Sequence, residues 1–103
     1  LDYWKYLQVI RHKSIEIFLD SLPTDASTVF FSTKAKKSLY AKEFKKGSYL
    51  IFGCETKGLG EELIEKFSKD TFNIPQYDDR VRSLNLANAA SIVVYEAIRQ
   101  LGY

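Results

Sequence analysis

Tyr49-Leu50-Ile51-Phe52-Gly53-Cys54-Glu55-Thr56-Lys57-Gly58-Leu59-Gly60 is an apolar run that stops in a glycine-punctuated loop carrying one carboxylate. Leu50, Ile51 and Phe52 suit a strand covered on both faces, as strands of parallel sheets are. Gly53 and Gly58 permit a backbone conformation, or a close approach of backbone to ligand, that a Cβ would hinder. The stretch therefore predicts a buried strand that ends in a site, because ligands of open α/β sheets bind at such strand ends.

Working upstream, Ser27 to Ser32 centres on Val29-Phe30-Phe31 and reads as a second strand, separated from the first by the polar, lysine-rich Thr33 to Lys46 with room for a short helical turn. Ser14 reads as the N-cap of a helix whose Ile15, Phe18 and Leu19 share one face, with Glu16 in the first turn and Pro23 just past the stop. Leu7-Gln8-Val9-Ile10, after the aromatic Tyr3, Trp4 and Tyr6, reads as a short strand. Downstream, Glu61 to Lys69 has Leu63, Ile64 and Phe67 at helical spacing, acids first and lysines last, as the helix dipole prefers. Thr71 to Pro75 is a short strand closed by proline. Gln76 to Arg82 is a polar loop, and Leu84 to Leu101 a helix stopped by Gly102. Apolar and small residues surround much of that last helix, which predicts packing on several sides. Strands alternating with helices predict an α/β fold with a mainly parallel sheet and flanking helices.

Composition narrows the class. With 103 residues, 46% hydrophobic and 27% charged, the chain has material for one soluble globular domain with its own core. A net charge of +2 permits an RNA or phosphate partner without demanding one. The single Cys54 cannot form an internal disulfide, and neither a signal core nor an apolar run of membrane-spanning length is present, so a cytoplasmic, non-membrane protein is expected. The chain begins at Leu1 and has no methionine, so further residues upstream are expected.

Individual chemical motifs are weak. Gly53-x4-Gly58 has a phosphate-loop spacing, but Leu59 and Gly60 stand where that motif needs Lys and Ser or Thr, which excludes a nucleoside-triphosphatase. One Cys and one His, Cys54 and His12, make no metal cluster, and nothing links them as nucleophile and base. Lys34, Lys36, Lys37, Lys42, Lys45 and Lys46 are either a phosphate-tracking run or a solvated surface. Glu55 alone reads as a solvated carboxylate, Ser83 as a helix N-cap and Asn85 as a polar residue of the first turn.

Taken together, Phe52-Gly53-x-Glu55-x-x-Gly58-Leu59, Ile74-Pro75, and Arg82-Ser83-Leu84-Asn85-Leu86-Ala87-Asn88-Ala89 through Tyr95-Glu96-Ala97 resemble the SPOUT superfamily of RNA methyltransferases, and within it the tRNA 2′-O-methyltransferases of the wobble nucleotide. The likeness extends to Leu1-Asp2-Tyr3, Phe31-Ser32-Thr33-Lys34-Ala35 and Arg99-Gln100-Leu101-Gly102-Tyr103. Cys54 and Gly60 stand where such proteins often carry proline, and Gln76 where methionine often follows Ile-Pro, so a different local loop shape is expected. The resemblance implies a C-terminal trefoil knot, an exception to the usual unknotted chain. It implies S-adenosyl-L-methionine held by Phe52, Gly53, Glu55, Gly58, Leu59, Ile74, Pro75, Ser83 and Leu84, with Glu55, Ser83 and Asn85 in the catalytic region. It implies methyl transfer to a ribose 2′-hydroxyl in the tRNA anticodon region, by a homodimer whose last helix contributes to the interface. The family's N-terminal Pro-x-Asn-x-Gly-x-x-x-Arg motif does not occur here, so its N-terminal strand and helix are expected to lie outside this chain. The alternative is a non-catalytic knotted α/β binding module.

Overall fold

Val29-Phe30-Phe31 forms the middle of the molecule. In the computed structural model, which describes residues 4–54, 57–77 and 84–102, these residues belong to strand β1 (Thr28–Phe31). β1 is flanked by β3 (Tyr49–Phe52) on one side and β4 (Thr71–Asn73) on the other, and β2 (Lys37–Ser38) adds beyond β4, giving the order β2-β4-β1-β3 with every pair parallel. The in-register pairs Phe30↔Ile51 and Phe30↔Thr71 define one face, and Phe31↔Phe52 and Phe31↔Phe72 the other.

Each face is closed by helix. On the Phe31 face, helix α3 (Leu86–Leu101) inserts Val93, fully buried, into a cluster of Val29, Phe31, Leu39, Phe44 and Phe72. On the Phe30 face, Phe67, the C-cap of α2 (Glu61–Lys66), stacks on Phe30 with ring centroids 4.5 Å apart and an interplanar angle of 18°. Helix α1 (Ile15–Asp20) meets the same face at its edge, where Phe18 contacts Tyr49 at 6.1 Å. Ser14 caps α1 as expected, its side chain accepting from the Ile17 amide at 3.1 Å. Gly102 ends α3 in the left-handed conformation, φ 76°, as a glycine C-terminal stop does.

Four expectations need correction. β3 is covered less fully than expected: it is an edge strand among the described residues, with Ile51 buried on one face, Leu50 and Phe52 only half-buried against the core on the other, and Tyr49 37% exposed. The strand covered on both faces is β1. Leu7-Gln8-Val9-Ile10 forms no strand: these residues are exposed and pair with no sheet edge, and apolar β-formers without a partner gain nothing from extension. The lysine-rich segment contributes an unexpected strand, β2, whose Lys37 pairs with Phe72 and Ser38 with Asn73, before the short helical turn expected there, a 3-10 turn at Leu39–Ala41 that buries Leu39. Finally, α3 packs on one side within the chain. Val93 and Glu96 are buried, whereas Val94 and Tyr95 on its outer side are 39% and 72% exposed.

Glu96 is buried because its carboxylate is fully engaged. Arg99 reaches it in a bidentate pair, Nε to Oε1 and Nη2 to Oε2, each at 2.8 Å, and Gln100 donates to Oε2 at 2.7 Å. Gln100 then fastens the segment before β3, donating to the Lys42 carbonyl at 2.8 Å and accepting from the Phe44 amide at 2.9 Å. Hydrogen bonds from Arg99 first and Gln100 second, reinforced by the Arg99 charge against the opposing effect of burial, hold the Glu96 pKa at about 2, below the ordinary 4.5. The unfolded chain takes up this proton near pH 4.5. The latch therefore contributes in full above that pH, and the contribution is lost as pH falls from there towards 2. Glu96→Gln is expected to lower the melting temperature at neutral pH, and the gap from wild type should close as the same melts are repeated through that acid window.

Candidate functional site

Because the strands are parallel, their C-terminal ends emerge on one side, and the loops that follow them line a single open cleft of about 830 Å³. Phe31 and Phe52, neighbours in register with rings stacked at 5.1 Å, form part of its wall. Beyond β1 the chain turns through Ser32-Thr33-Lys34, pinned by the Ser32 amide donating to the Phe72 carbonyl at 3.0 Å and by Ser32 Oγ accepting from the Lys34 amide at 3.1 Å. Asn73 fixes the far side of this turn, its Nδ2 donating to the Ala35 carbonyl at 2.7 Å.

The glycine loop after β3 is built by close backbone contact. A Cβ on Gly53 would lie 2.1 Å from the Gly58 carbonyl carbon and 2.4 Å from the Leu59 nitrogen, so the two ends of the loop meet only where position 53 has no side chain. The Gly58 amide donates to the Cys54 carbonyl at 2.9 Å, and the Lys57 amide approaches Cys54 Sγ at 3.4 Å. Cys54 thus serves the loop's shape. His12 instead packs edge-on against Phe18 at 5.0 Å and does not line the cleft, so the two are no catalytic pair. Gly60 enters α2 with φ 88°, a backbone closed to proline, whose φ is locked at about −65°.

From the third direction come Ile74 and Gln76 after β4, and Leu84, Asn85, Leu86 and Ala89 at the start of α3. Of the residues expected around a cofactor, Phe52, Gly53, Gly58, Leu59, Ile74 and Leu84 all line this cleft, and so does Asn85. Pro75 does not, and Glu55 and Ser83 lie outside the described residues. Sequence reasoning missed Ser32, Thr33 and Lys34 as site residues. Their signal was topological: they follow β1, whose C-terminal end lies beside that of β3.

Asn85, rather than Ser83, is the N-cap of α3: its Oδ1 accepts from the amides of Ala87 at 2.9 Å and Asn88 at 3.3 Å. Asn85→Ala is therefore expected to cost about 1 kcal/mol in thermal or denaturant unfolding, while Asn85→Asp keeps the cap. A loss of ligand binding or turnover seen in both variants, with stability kept only in the aspartate, would mark a role for the side-chain amide beyond capping.

The cleft has an aromatic and aliphatic wall, a glycine-rich rim of exposed backbone and a few polar groups, Thr33, Gln76 and Asn85 among them, the usual character of a site for a nucleoside-sized ligand. The lysines of the basic run divide. Lys34 lines the cleft, whereas Lys37 and Lys42 lie over the Phe72 ring, 4.6 and 5.7 Å from its centroid, and Lys37 also donates to the Lys69 carbonyl. Among the described residues no cluster of three or more His, Cys, Asp or Glu is placed to hold a metal ion, and no helix is long and apolar enough to cross a membrane.

Known proteins resemble this chain in sequence and in fold. The profile of the SpoU rRNA Methylase family matches residues 1–95. A tRNA (cytidine(34)-2′-O)-methyltransferase of Polaromonas is 39% identical, aligned over 100% of this chain and 63% of its own length. Its Escherichia coli counterpart is also 39% identical, over 100% and 65%. A solved structure concerned with 2-OH methylation of C/U34 on tRNA superposes with a TM-score of 0.91 at 44% identity, covering 100% of this chain and 62% of that one. The SpoU methyltransferase AviRb from Streptomyces viridochromogenes gives a TM-score of 0.76 at 28% identity over 92% of this chain and 38% of its own. The chain thus spans less than two thirds of these relatives. The profile match over residues 1–95 and the likeness in sequence and fold agree, and the chain belongs to the SpoU rRNA Methylase family.

Proposed function

We propose that this chain binds S-adenosyl-L-methionine in the cleft and supports 2′-O-methylation of the wobble ribose of a tRNA. The observation that carries the reading is the meeting of three distant segments, Gly53-Cys54 with Lys57-Gly58-Leu59, Ile74, and Leu84-Asn85, at one cleft of about 830 Å³. The cleft is roomy enough for an adenosyl-amino acid, and its chemistry fits. Phe52, Leu59, Ile74 and Leu84 offer apolar surface to an adenine ring, and backbone at Gly53 and Gly58 approaches without intervening side chains.

When bound, this cofactor supplies an electrophilic methyl group on a sulfonium. The chain's own work is positional, since alignment of the acceptor oxygen with the methyl carbon supplies much of the rate in such a transfer. The tight loop closed between Gly53 and Gly58 fixes one wall, and Asn85 fixes the start of α3. Glu55 and Ser83, adjacent in sequence to the cleft residues Cys54 and Leu84, are proposed for the acceptor side, with Pro75 supporting Ile74. The same reading takes residues 1–103 as one domain, threads the segment leading into α3 as a trefoil knot and places the protein in the cytoplasm. It pairs two copies through α3, where the exposed Val94 and Tyr95 offer apolar surface.

A calorimetric titration with S-adenosyl-L-methionine, paired with transfer of labelled methyl to unmodified tRNA, tests it. Binding together with label at a wobble 2′-oxygen is expected. Binding without transfer favours the non-catalytic module, and a folded chain that binds no cofactor overturns the proposal.

A further inference from the structure

Lys34, in the turn after β1, and Lys57, in the glycine loop after β3, both line the cleft from different strand ends. They are the only charged side chains among the described residues that line it. Both rise from fixed backbone. The Lys34 amide is held by Ser32 Oγ, and the Lys57 amide faces Cys54 Sγ within the closed loop. The Lys34 head is nonetheless loosely engaged. Its ion-pair partner Glu61 lies 3.8 Å away, and the two side chains are 64% and 84% exposed. Such a pair contributes little and is readily exchanged for a better anion. Lys37 and Lys42, by contrast, lie over Phe72, so the cleft's charge is separate from the lysines of the β2 edge.

A ribose within an RNA strand cannot present its 2′-oxygen alone. The neighbouring 3′-oxygen carries a phosphodiester, a second lies on the 5′ side, and a site admitting that ribose must accommodate both charges. We propose that Lys34 and Lys57 hold the phosphodiesters flanking the acceptor ribose, with Glu61 as the counter-charge that Lys34 exchanges for phosphate; this rests on the functional reading above. The cofactor carboxylate is the rival anion. The solvent exposure of Lys34 places its charge where a polymer passes rather than where a small ligand is enclosed. Lysine suits the task as a mobile point charge that does not demand one phosphate geometry.

The test is fluorescence titration of an unmodified anticodon stem-loop at several salt concentrations, with cofactor calorimetry in parallel, for wild type, Lys34→Gln, Lys57→Gln, Lys34→Arg and Glu61→Gln. Each glutamine variant should weaken RNA binding by roughly fivefold, the upper range for an exposed ion pair. Each should also reduce the slope of log affinity against log salt by about 0.7, one single-strand phosphate contact, and change cofactor affinity far less than RNA affinity. Lys34→Arg should restore the slope, and Glu61→Gln should tighten RNA binding, which a merely structural lysine would not produce. An unaltered slope in both glutamine variants while wild type binds RNA overturns this proposal alone. Cofactor affinity falling in step with RNA affinity also overturns it and assigns the lysines to the carboxylate. No RNA binding by wild type overturns the functional reading and this one together.

Discussion

Gly53→Ala is expected to lower methyl transfer by about a hundredfold, the scale on which a misplacement of roughly 1 Å acts in a positioned site, and to weaken S-adenosyl-L-methionine binding clearly. The added methyl would stand 2.1, 2.4 and 2.5 Å from three backbone atoms of Gly58 and Leu59. No rotamer change relieves a backbone clash, so the loop must open. Opening it separates Cys54 from Gly58 and breaks their 2.9 Å hydrogen bond. The stability cost should be about 1–3 kcal/mol, as for an overpacked core. Gly58→Ala is the control. Its φ of 65° strains any other residue by roughly 1–2 kcal/mol, but its Cβ would meet nothing within 4 Å. It should therefore lose comparable stability and far less affinity. Equal affinities for the two variants by calorimetry would show that loop closure does not shape the site.

The contrast between these two glycines marks what could be read from sequence. Both stood out in a loop after an apolar run, but only the tertiary approach of Leu59 to Gly53 ranks them. β1 was legible because Val29-Phe30-Phe31 is apolar on both faces and lies between turn signals. β3 reads almost identically, yet a continuous apolar run does not reveal whether a strand has one neighbour or two. β2 was invisible, since two residues between lysines carry no period and its extended form comes from pairing with Phe72 and Asn73. Ser83 and Asn85 are both good N-caps, and the choice of Ser83 from sequence was the wrong one of the two. Glu96 looks like a solvated acid. Its burial depends on Gln100 finding the Lys42 carbonyl and the Phe44 amide, more than fifty residues earlier in the chain. Lys34 joined the site only through the parallel order of β1 and β3. The cofactor side was the most legible part because its residues form short contiguous motifs, which a likeness can carry residue by residue.

Phe30→Ala should cost about 3–5 kcal/mol, the range for deleting a buried phenyl ring. Phe30 is fully buried and stacks on Phe67 at 4.5 Å, so truncation leaves a void between β1 and the end of α2 while removing the contact that seats the helix. For a domain of this size the melting temperature should fall by roughly 12 °C or more. If the alanine variant does not fold, Phe30→Leu, which removes less volume, should show the same effect at smaller size. The side chain next to it makes the comparison informative. Phe31 points to the opposite face, stacks on Phe52 and lines the cleft. Phe31→Ala removes a wall of the site as well as core. Below its melting temperature Phe30→Ala should therefore bind S-adenosyl-L-methionine with near wild-type affinity, whereas Phe31→Ala should not. Equal affinity losses would mean that the cleft responds to the whole sheet rather than to the face it opens on, and its placement on the Phe31 side would no longer account for binding.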